Sequence, residues 1–317
     1  MAARPLRPRR SVLAVPGSSP KMLAKAPDLP ADEVFLDLED AVAPDAKDAA
    51  RRNVVAALAD GDWAGKTRAV RVNDLATAWT YRDVVDVVEG AGEYLDSVIL
   101  PKVASAAEVA WLDLTLSQLE RALGHEVGRI GIEPQIESAA GLVAVDAIVA
   151  ASERVEAVVF GPADFMASMA MRSLVVGEQP PGYEPGDAYH YPLMRILVAA
   201  RARGVQAIDG PYLQVRDVEG VRRQARRTAA LGFDGKWVVH PGQIEAVNEA
   251  FSPDQADYDR AELILDAYRH ATTVRQVGAV LLGEEMIDEA SRKMAVVVAA
   301  KGRAAGMTRT SVFQPPQ

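Results

Sequence analysis

The chain has 317 residues, of which 49% are hydrophobic and 25% are charged, a balance that predicts a folded globular protein with a sizeable core. Its formal net charge of −9 disfavours binding to nucleic acid or to an anionic membrane surface, so we expect neither partner. The absence of cysteine excludes disulfides, thiolate nucleophiles and cysteine metal ligands.

The sequence contains no apolar run of the roughly 18–20 residues that a membrane-spanning helix needs. The first ten residues are basic, but the apolar stretch that follows, SVLAVPG, is too short for the core of a secretory signal peptide. We therefore expect a cytoplasmic protein that is not bound to a membrane.

Eight short apolar runs recur along the chain, and each is followed by turn residues and then by a helical pattern. Such near-continuous hydrophobicity is typical of parallel strands that are buried on both faces. The predicted strands span residues 11–15, 34–38, 68–72, 97–101, 130–136, 157–161, 205–209 and 236–240. Eight β-then-α repeats predict an α/β fold, a (β/α)8 TIM barrel. An open doubly wound sheet is the alternative, but VPGSSP after the first run lacks the G-x-G-x-x-G pattern expected there.

The predicted barrel occupies residues 11–250 and follows a flexible segment, residues 1–10. The connection over residues 172–192 is long enough to predict a lid or an assembly element. Residues 251–308 read as two helices joined by a short β-like element, a C-terminal helical extension that we expect to cover the barrel of its own or a neighbouring subunit. Residues 309–317 are predicted to be flexible.

Ionisable residues are concentrated at the C-terminal ends of the predicted strands, which is where TIM barrels build their active sites. They are Asp37, Glu39, Asp40, Arg71, Lys102, Glu137, Asp164, Asp209 and His240. Glu137 and Asp164 follow neighbouring strands, and two carboxylates in a chain without cysteine favour a hard divalent cation such as Mg²⁺. The alternative is a pair of carboxylates on surface loops.

Arg71 lies within the third predicted strand, on the face opposite Val70. A charged side chain inside a parallel strand is costly unless it is paired. The preceding strand offers Asp37, Glu39 and Asp40 as partners. Two interpretations stay open: an internal salt bridge, or a guanidinium that stabilises a developing oxyanion and is held in place by those acids.

Ser18, Ser19, Lys21 and Lys25 follow the first strand and open a helix. A helix N-terminus with lysines suits a phosphate group, although lysines on a first helix are also typical of an ordinary solvated face. His240 precedes Pro-Gly, and we expect it to be a buried, hydrogen-bonded residue rather than part of the chemistry.

Several motifs occur in a recognisable order along the chain. They are VPGSSPKMLAKA, VFLDLEDAVAPDAK, VRVNDLATAWTYRDVVD, ILPKV, IESAAG, GPADFMASMAM, IDGPY, GKWVVHPGQIEAVNEAFSP and EEMIDEASRKMA. Together they resemble the HpcH/HpaI aldolase/citrate lyase β-subunit superfamily, in particular its malyl-CoA-cleaving enzymes. The resemblance covers about residues 11–296.

The resemblance implies a role for each matching acid and for the arginine. Glu137 of IESAAG and Asp164 of GPADF match the two ligands of Mg²⁺ or Mn²⁺. Arg71 of VRVN matches the arginine that contacts the reacting oxygens. Glu39 and Asp40 of LDLED match acids that orient this arginine and the water on the metal.

Further positions match by the same resemblance. Asp288 of MIDEAS corresponds to a catalytic aspartate that reaches in from an adjacent subunit. The backbone around Ala163 and Asp164 corresponds to the part that holds the glyoxylate carboxylate, and Lys25 to a basic position near coenzyme A.

One position departs from the family pattern. Ser19 follows Pro16-Gly17-Ser18, at the position where members of the family commonly carry a basic side chain. The resemblance then leaves Lys21, Arg9 or Arg10 to supply the charge for coenzyme A.

The implied activity is a carbon–carbon lyase reaction that cleaves malyl-CoA, and also β-methylmalyl-CoA, by retro-Claisen chemistry. The coenzyme A thioester and glyoxylate would be its small-molecule partners, and a homotrimer or homohexamer would be its assembly. Alternatives with the same site are citramalyl-CoA cleavage and hydrolysis of the malyl thioester, because a methyl group or a water position is worth only about 1–3 kcal/mol of discrimination. A citrate lyase β-like subunit of a larger complex and an aldolase that works without coenzyme A are the remaining alternatives.

Overall fold

The computed structural model describes residues 6–183 and 186–314. Its eight parallel strands pair in chain order and close into a barrel, which confirms the predicted (β/α)8 fold. The strands are β1 (Ser11–Pro16), β2 (Glu33–Asp37), β3 (Thr67–Arg71), β4 (Ser97–Leu100), β5 (Gly131–Ile136), β6 (Ala157–Phe160), β7 (Gln206–Asp209) and β8 (Gly235–Val238). Each lies within two residues of the bounds predicted from the apolar runs.

Helices follow the strands and form the outer layer of the barrel. They are α1 (Pro20–Lys25), α2 (Lys47–Asp60), α3 (Thr80–Ala91), α4 (Ala106–Ala122), α5 (Ala139–Ala150), α6 (Pro162–Ser168), α7 (His190–Arg203), α8 (Val218–Leu231) and α9 (Ile244–Ala250). Local sequence sets their ends: a Ser105–Glu108 capping box begins α4, and Gly232, in the left-handed conformation at φ 112°, ends α8.

The barrel interior is apolar in its middle and polar at both ends. The middle is a cluster of side chains from seven strands: Val12, Phe35, Ala69, Ile99, Ala157, Val159, Ile208 and Trp237. Because side chains alternate along a strand, Asp37 lies on the inward face with Phe35, and Arg71 with Ala69. The same alternation directs both charged side chains into the barrel at the C-terminal ends of the strands, which we call the catalytic end.

Arg9 closes the opposite end of the barrel. Its guanidinium is fully buried and pairs with Glu33 at 2.7 Å, and with Glu133 and Glu156 at 2.9 Å each. These acids belong to β2, β5 and the approach to β6. The described part of the predicted flexible segment 1–10 is therefore anchored at Arg9, whose buried charge needs these partners; residues 1–5 lie outside the described range.

The chain divides into two compact units, Met1–Asn248 and Glu249–Gln317. The second unit contains α10 (Gln255–Thr273), an antiparallel hairpin of β9 (Val280–Leu282) and β10 (Glu285–Ile287), and α11 (Glu289–Ala304). Small side chains allow α10 and α11 to pack closely around Ala261, Ala295 and Ala299. This arrangement confirms the predicted helical extension with a β-like connection.

The long connection after β6 runs from α6 to α7, and residues 184–185 within it lie outside the described range. Gln224 of α8 donates a hydrogen bond to the Gly177 carbonyl at 2.7 Å, and Gln214 donates to Glu178 at 2.7 Å. The connection is thus tied to the segment after β7 and to α8. Among the described residues, no helix is long and apolar enough to cross a membrane.

Candidate active site

The Arg71 guanidinium is held at the catalytic end by two acids of the neighbouring strand and its loop. Arg71 Nε and Nη2 donate to the two oxygens of Asp37 at 2.8 and 2.7 Å, and Nη1 lies 2.8 Å from Glu39 Oε2. The geometry follows from register, because Asp37 and Arg71 are paired residues of β2 and β3. Asp37 and Glu39 are thus confirmed as neighbours of Arg71, whereas Asp40 contacts Lys102 instead.

The guanidinium also lies over aromatic rings of the barrel interior. Arg71 Cζ is 5.6 Å from the ring centre of Phe35 and 5.4 Å from that of Trp237. The two acids raise the pKa of Arg71 further above its usual range against the opposing effect of burial. Arg71 is therefore a fixed positive charge, and the salt-bridge and electrophile interpretations describe the same arrangement.

Glu137 lies at the end of β5 and is almost completely buried. Its carboxylate accepts hydrogen bonds from the Lys102 backbone N–H at 2.7 Å and from Gln135 Nε2 at 2.7 Å. Burial, followed by the charge of Glu39, raises the pKa of Glu137 to about 8, and Asp164 adds to the rise. A carboxylate in such surroundings is stabilised by an added positive charge.

Asp164 reaches the same region from the first turn of α6. Pro162 occupies the first position of this helix, where a missing N–H costs nothing. Gly161, between β6 and the helix, passes so close to β5 that a Cβ there would collide with Glu137 and lie 2.8 Å from Gln135 Nε2. Glycine is thus required for the Asp164 loop to approach Glu137.

Lys102, at the end of β4, connects these acids. Its ammonium lies 2.7 Å from Glu39 Oε1, 3.5 Å from Asp40 Oδ1 and 3.9 Å from Asp164 Oδ2. The sequence marked Lys102 only as an ionisable strand end and gave it no role. Its backbone φ of 54° could not be read from the sequence, because a lysine in that conformation has no local signature.

We call Glu39, Asp40, Glu137 and Asp164 the site carboxylates. With Asp37 they outnumber the nearby cations Arg71, Lys102 and Lys47, whose ammonium donates to the Glu39 carbonyl at 2.7 Å.

The donors at the site suit a hard divalent cation. They are carboxylate oxygens with an excess of negative charge, and one of them has a raised pKa that a cation would relieve. Among residues 6–183 and 186–314, no three His, Cys, Asp or Glu side chains form a closed metal cage. Mg²⁺ commonly takes one or two protein carboxylates and fills its other positions with water or substrate oxygens, so Glu137 and Asp164 would be enough to hold it.

Two other strand-end residues do not join the site. Asp209 pairs with the buried Lys236 of β8 at 2.6 Å. Each of them is adjacent in its strand to a residue of the barrel interior, Ile208 or Trp237, so both side chains face the helices. His240 is exposed and accepts a hydrogen bond from the Gly242 N–H at 3.1 Å, so its expected burial is not observed although its hydrogen bond is.

The residues expected to contact coenzyme A lie at different ends of the barrel. Lys21 and Lys25 are exposed on α1, which follows the C-terminal end of β1. Arg10 precedes β1 and pairs with Asp32 at 2.8 Å, and Arg9 fills the barrel base. This corrects the expectation for Arg9 and Arg10, because strand order places both at the end opposite the site carboxylates.

Asp288 belongs to the second unit, where it is the N-cap of α11. Its Oδ1 accepts from the backbone N–H groups of Ala290 at 2.9 Å and Ser291 at 3.0 Å. These hydrogen bonds lower the pKa of Asp288, so the side chain is ionised at neutral pH.

Comparison with known proteins gives the site its context. The profile of the family described as HpcH/HpaI aldolase/citrate lyase matches residues 10–241. The chain is 41% identical over 304 residues to the L-malyl-CoA/β-methylmalyl-CoA lyase of Cereibacter sphaeroides, a match that covers 93% of this chain and 95% of that protein. It is 34% identical over 285 residues to the citrate lyase subunit beta of Escherichia coli, covering 90% of each.

Among solved structures, the protein CitE from Mycobacterium tuberculosis, in complex with magnesium, acetoacetate and coenzyme A, is similar to this chain. The two share 30% sequence identity with a TM-score of 0.71, and the match covers 96% of this chain and 99% of that one. The match to the family profile and the 41% identity over nearly the whole chain show that the chain belongs to the HpcH/HpaI aldolase/citrate lyase family.

Proposed function

We propose that this protein catalyses the reversible retro-Claisen cleavage of L-malyl-CoA to acetyl-CoA and glyoxylate, and of β-methylmalyl-CoA to propionyl-CoA and glyoxylate. That it is a carbon–carbon lyase follows from its family and from its identity of 41% with a lyase named for these substrates. The observation that carries the proposal is the meeting of Arg71, Glu39 and Glu137 with Lys102 at one end of the barrel.

Glu137 and Asp164 are the residues that would hold Mg²⁺ or Mn²⁺, which when bound polarises substrate oxygens. Cleavage breaks the bond between the hydroxyl-bearing carbon and the carbon next to the thioester, and the hydroxyl proton passes to solvent water as the aldehyde of glyoxylate forms. Arg71, rigidly held by Asp37 and Glu39, supports this step by stabilising negative charge on the reacting oxygens.

The electron pair of the broken bond forms the enolate of acetyl-CoA, whose carbon must then take up a proton. We propose Asp288 of a neighbouring subunit for this proton transfer. Its hydrogen bonds from Ala290 and Ser291 support an ionised carboxylate, which suits the reverse reaction, where the methyl group of acetyl-CoA loses a proton. In the cleavage direction the carboxylate would first take up a proton from solvent and then pass it to the enolate carbon.

The remaining contacts are proposed from the family resemblance and from position. Lys21 and Lys25 are exposed and follow the C-terminal end of β1, which is compatible with binding the phosphates of coenzyme A. The glyoxylate carboxylate would lie against the backbone of Ala163 and Asp164 at the start of α6.

The test is an assay of the purified protein with malyl-CoA, β-methylmalyl-CoA and citramalyl-CoA, with Mg²⁺ and with a chelator. Glyoxylate, pyruvate and free thiol are followed separately. We expect glyoxylate from the first two substrates only with metal, and no activity in Glu137→Gln. Pyruvate as the main product would identify a citramalyl-CoA lyase, and thiol without glyoxylate would identify a thioesterase.

A subunit of a larger lyase complex is the second candidate, because the chain is 34% identical to a citrate lyase subunit beta. We expect such a subunit to need its partner subunits for turnover. Turnover of malyl-CoA by the isolated protein would exclude this candidate.

We also propose a homotrimer or homohexamer in the cytoplasm. The oligomer follows from the assigned role of Asp288, which requires a second copy of the chain, and the number of copies follows from the family resemblance. Size-exclusion chromatography with light scattering tests it, since an active monomer would contradict the role of Asp288 in a neighbouring subunit.

A further inference from the structure

We propose that Lys102 is an internal counter-ion that assembles the site carboxylates and competes with the metal ion for them, so that Lys102 is a positioning residue that sets metal affinity. The inference rests on the proposed metal site at Glu137 and Asp164. It concerns a residue for which the reaction described above has no role.

The first support is the backbone of Lys102, which has a φ of 54° in the left-handed region. Glycine adopts this conformation freely, whereas a residue with a Cβ is strained there. Strain of this kind persists where the surroundings determine it and is concentrated at functional sites. Here the backbone N–H donates to Glu137 Oε1 at 2.7 Å, and the next N–H, of Val103, donates to the Gln135 carbonyl at 3.3 Å.

The backbone contacts alone would favour glycine at this position, so the lysine side chain needs its own explanation. Its ammonium is 2.7 Å from Glu39, 3.5 Å from Asp40 and 3.9 Å from Asp164. Through its backbone N–H and its ammonium, Lys102 therefore contacts acids that follow β2, β5 and β6.

The three side-chain contacts differ in strength. The contact with Glu39 has hydrogen-bond geometry, whereas that with Asp164 is only an ion pair at 3.9 Å to a side chain that is 44% exposed. A divalent cation between Glu137 and Asp164 would repel the ammonium and take over Asp164. The contact with Glu39 would persist and would keep that carboxylate beside Arg71 Nη1, which lies 2.8 Å from it.

Removal of the ammonium should therefore have two opposite effects. The site carboxylates would lose a competing positive charge, so the metal ion would bind more tightly. Glu39 would lose its hydrogen-bond donor, so Arg71 would lose part of its alignment and turnover would fall. A residue with a purely structural role would instead weaken folding and metal binding together.

The experiment uses the full-length protein and Mn²⁺ alone, titrated by calorimetry without substrate. The variants are Lys102→Gly and Lys102→Asn, which both tolerate the left-handed backbone, and Lys102→Arg, which keeps the charge. The control is Arg121→Ala: Arg121 is an exposed cation in the last turn of α4, which begins after the catalytic end and finishes at the other end of the barrel.

We expect Lys102→Gly and Lys102→Asn to bind Mn²⁺ about ten-fold more tightly than the wild type, because a like charge at this distance has gone. The melting temperatures of both variants should not fall, because glycine and asparagine both tolerate the left-handed backbone at this position. Lys102→Arg should stay within about three-fold of the wild-type affinity because it retains the charge. Arg121→Ala should not change affinity, and malyl-CoA turnover should fall about 100-fold in Lys102→Gly.

Two results overturn different claims. If the wild type takes up no Mn²⁺ in a one-to-one ratio, or if Glu137→Gln leaves uptake unchanged, the proposed metal site fails, and this inference fails with it. If the wild type binds Mn²⁺, Glu137→Gln does not, and both uncharged Lys102 variants bind with unchanged or weaker affinity, only the role of Lys102 is refuted.

Discussion

Among single residues, Glu137 makes the stability of the metal-free protein depend on pH. Its pKa rises from an ordinary value of 4.5 to about 8 on folding, because the carboxylate is buried beside Glu39 and Asp164. The folded chain therefore holds a proton that the unfolded chain releases. This contribution to stability is complete below pH 4.5 and is lost as the pH rises through 8.

With a chelator present, we expect the free energy of unfolding of the wild type to fall between pH 4.5 and about 8, relative to that of Glu137→Gln. The slope should reach about 1.4 kcal/mol per pH unit, because the glutamine has no proton to lose. Urea denaturation at pH 5, 6, 7 and 8 measures the difference between the two proteins. Parallel pH profiles for both would show that Glu137 titrates normally.

Among the structural elements, the turn from β6 into α6 fixes the spacing between the two proposed metal ligands. A Cβ at Gly161 would meet Glu137 and Gln135, so Gly161→Ala should push the loop away from β5. We expect Mn²⁺ affinity to fall about ten-fold or more, because carboxylate ligands tolerate little displacement. Calorimetry measures it, with Gly278→Ala as the matched control, since a Cβ at Gly278 meets nothing within 4 Å. Equal affinities in the two variants would contradict the prediction.

The start of α11 allows the capping and the chemical roles of Asp288 to be separated. Asp288→Asn keeps a side-chain oxygen for the N–H groups of Ala290 and Ser291, whereas Asp288→Ala removes it. We expect both variants to lose about 1000-fold in turnover, because neither can transfer a proton, and only the alanine variant to melt earlier. Turnover assays and thermal melts distinguish the effects. Full activity in Asp288→Asn would remove Asp288 from the reaction.

For the whole molecule, Arg9 connects strands from both halves of the barrel. Its removal leaves Glu33, Glu133 and Glu156 buried without their common cation. Arg9→Met should therefore lower the free energy of unfolding by about 3–5 kcal/mol. Arg10→Met, which breaks a partly exposed pair with Asp32, should cost about 1 kcal/mol or less. Urea denaturation compares them, and equal losses would show that Arg9 is not central to barrel closure.

The sequence alone determined the barrel, the eight strands and the end at which the acids meet. Parallel strands buried on both faces require near-continuous apolar runs, and these are visible without tertiary information. Since all C-terminal ends of parallel strands lie together, Glu137 and Asp164 could be assigned to one site although 27 positions separate them. The alternation of Val70 and Arg71 likewise gave the inward direction of the arginine.

Only the tertiary structure decided which charged groups actually meet. Lys102 joins acids from three loops through a left-handed backbone, and Arg9, in a basic segment predicted to be flexible, is buried in the barrel base. Both outcomes depend on the distances between strands that are remote in the chain and on the desolvation of each charge. A local pattern contains neither quantity, because the energy of a buried charge is set by whatever partners the closed barrel brings to it.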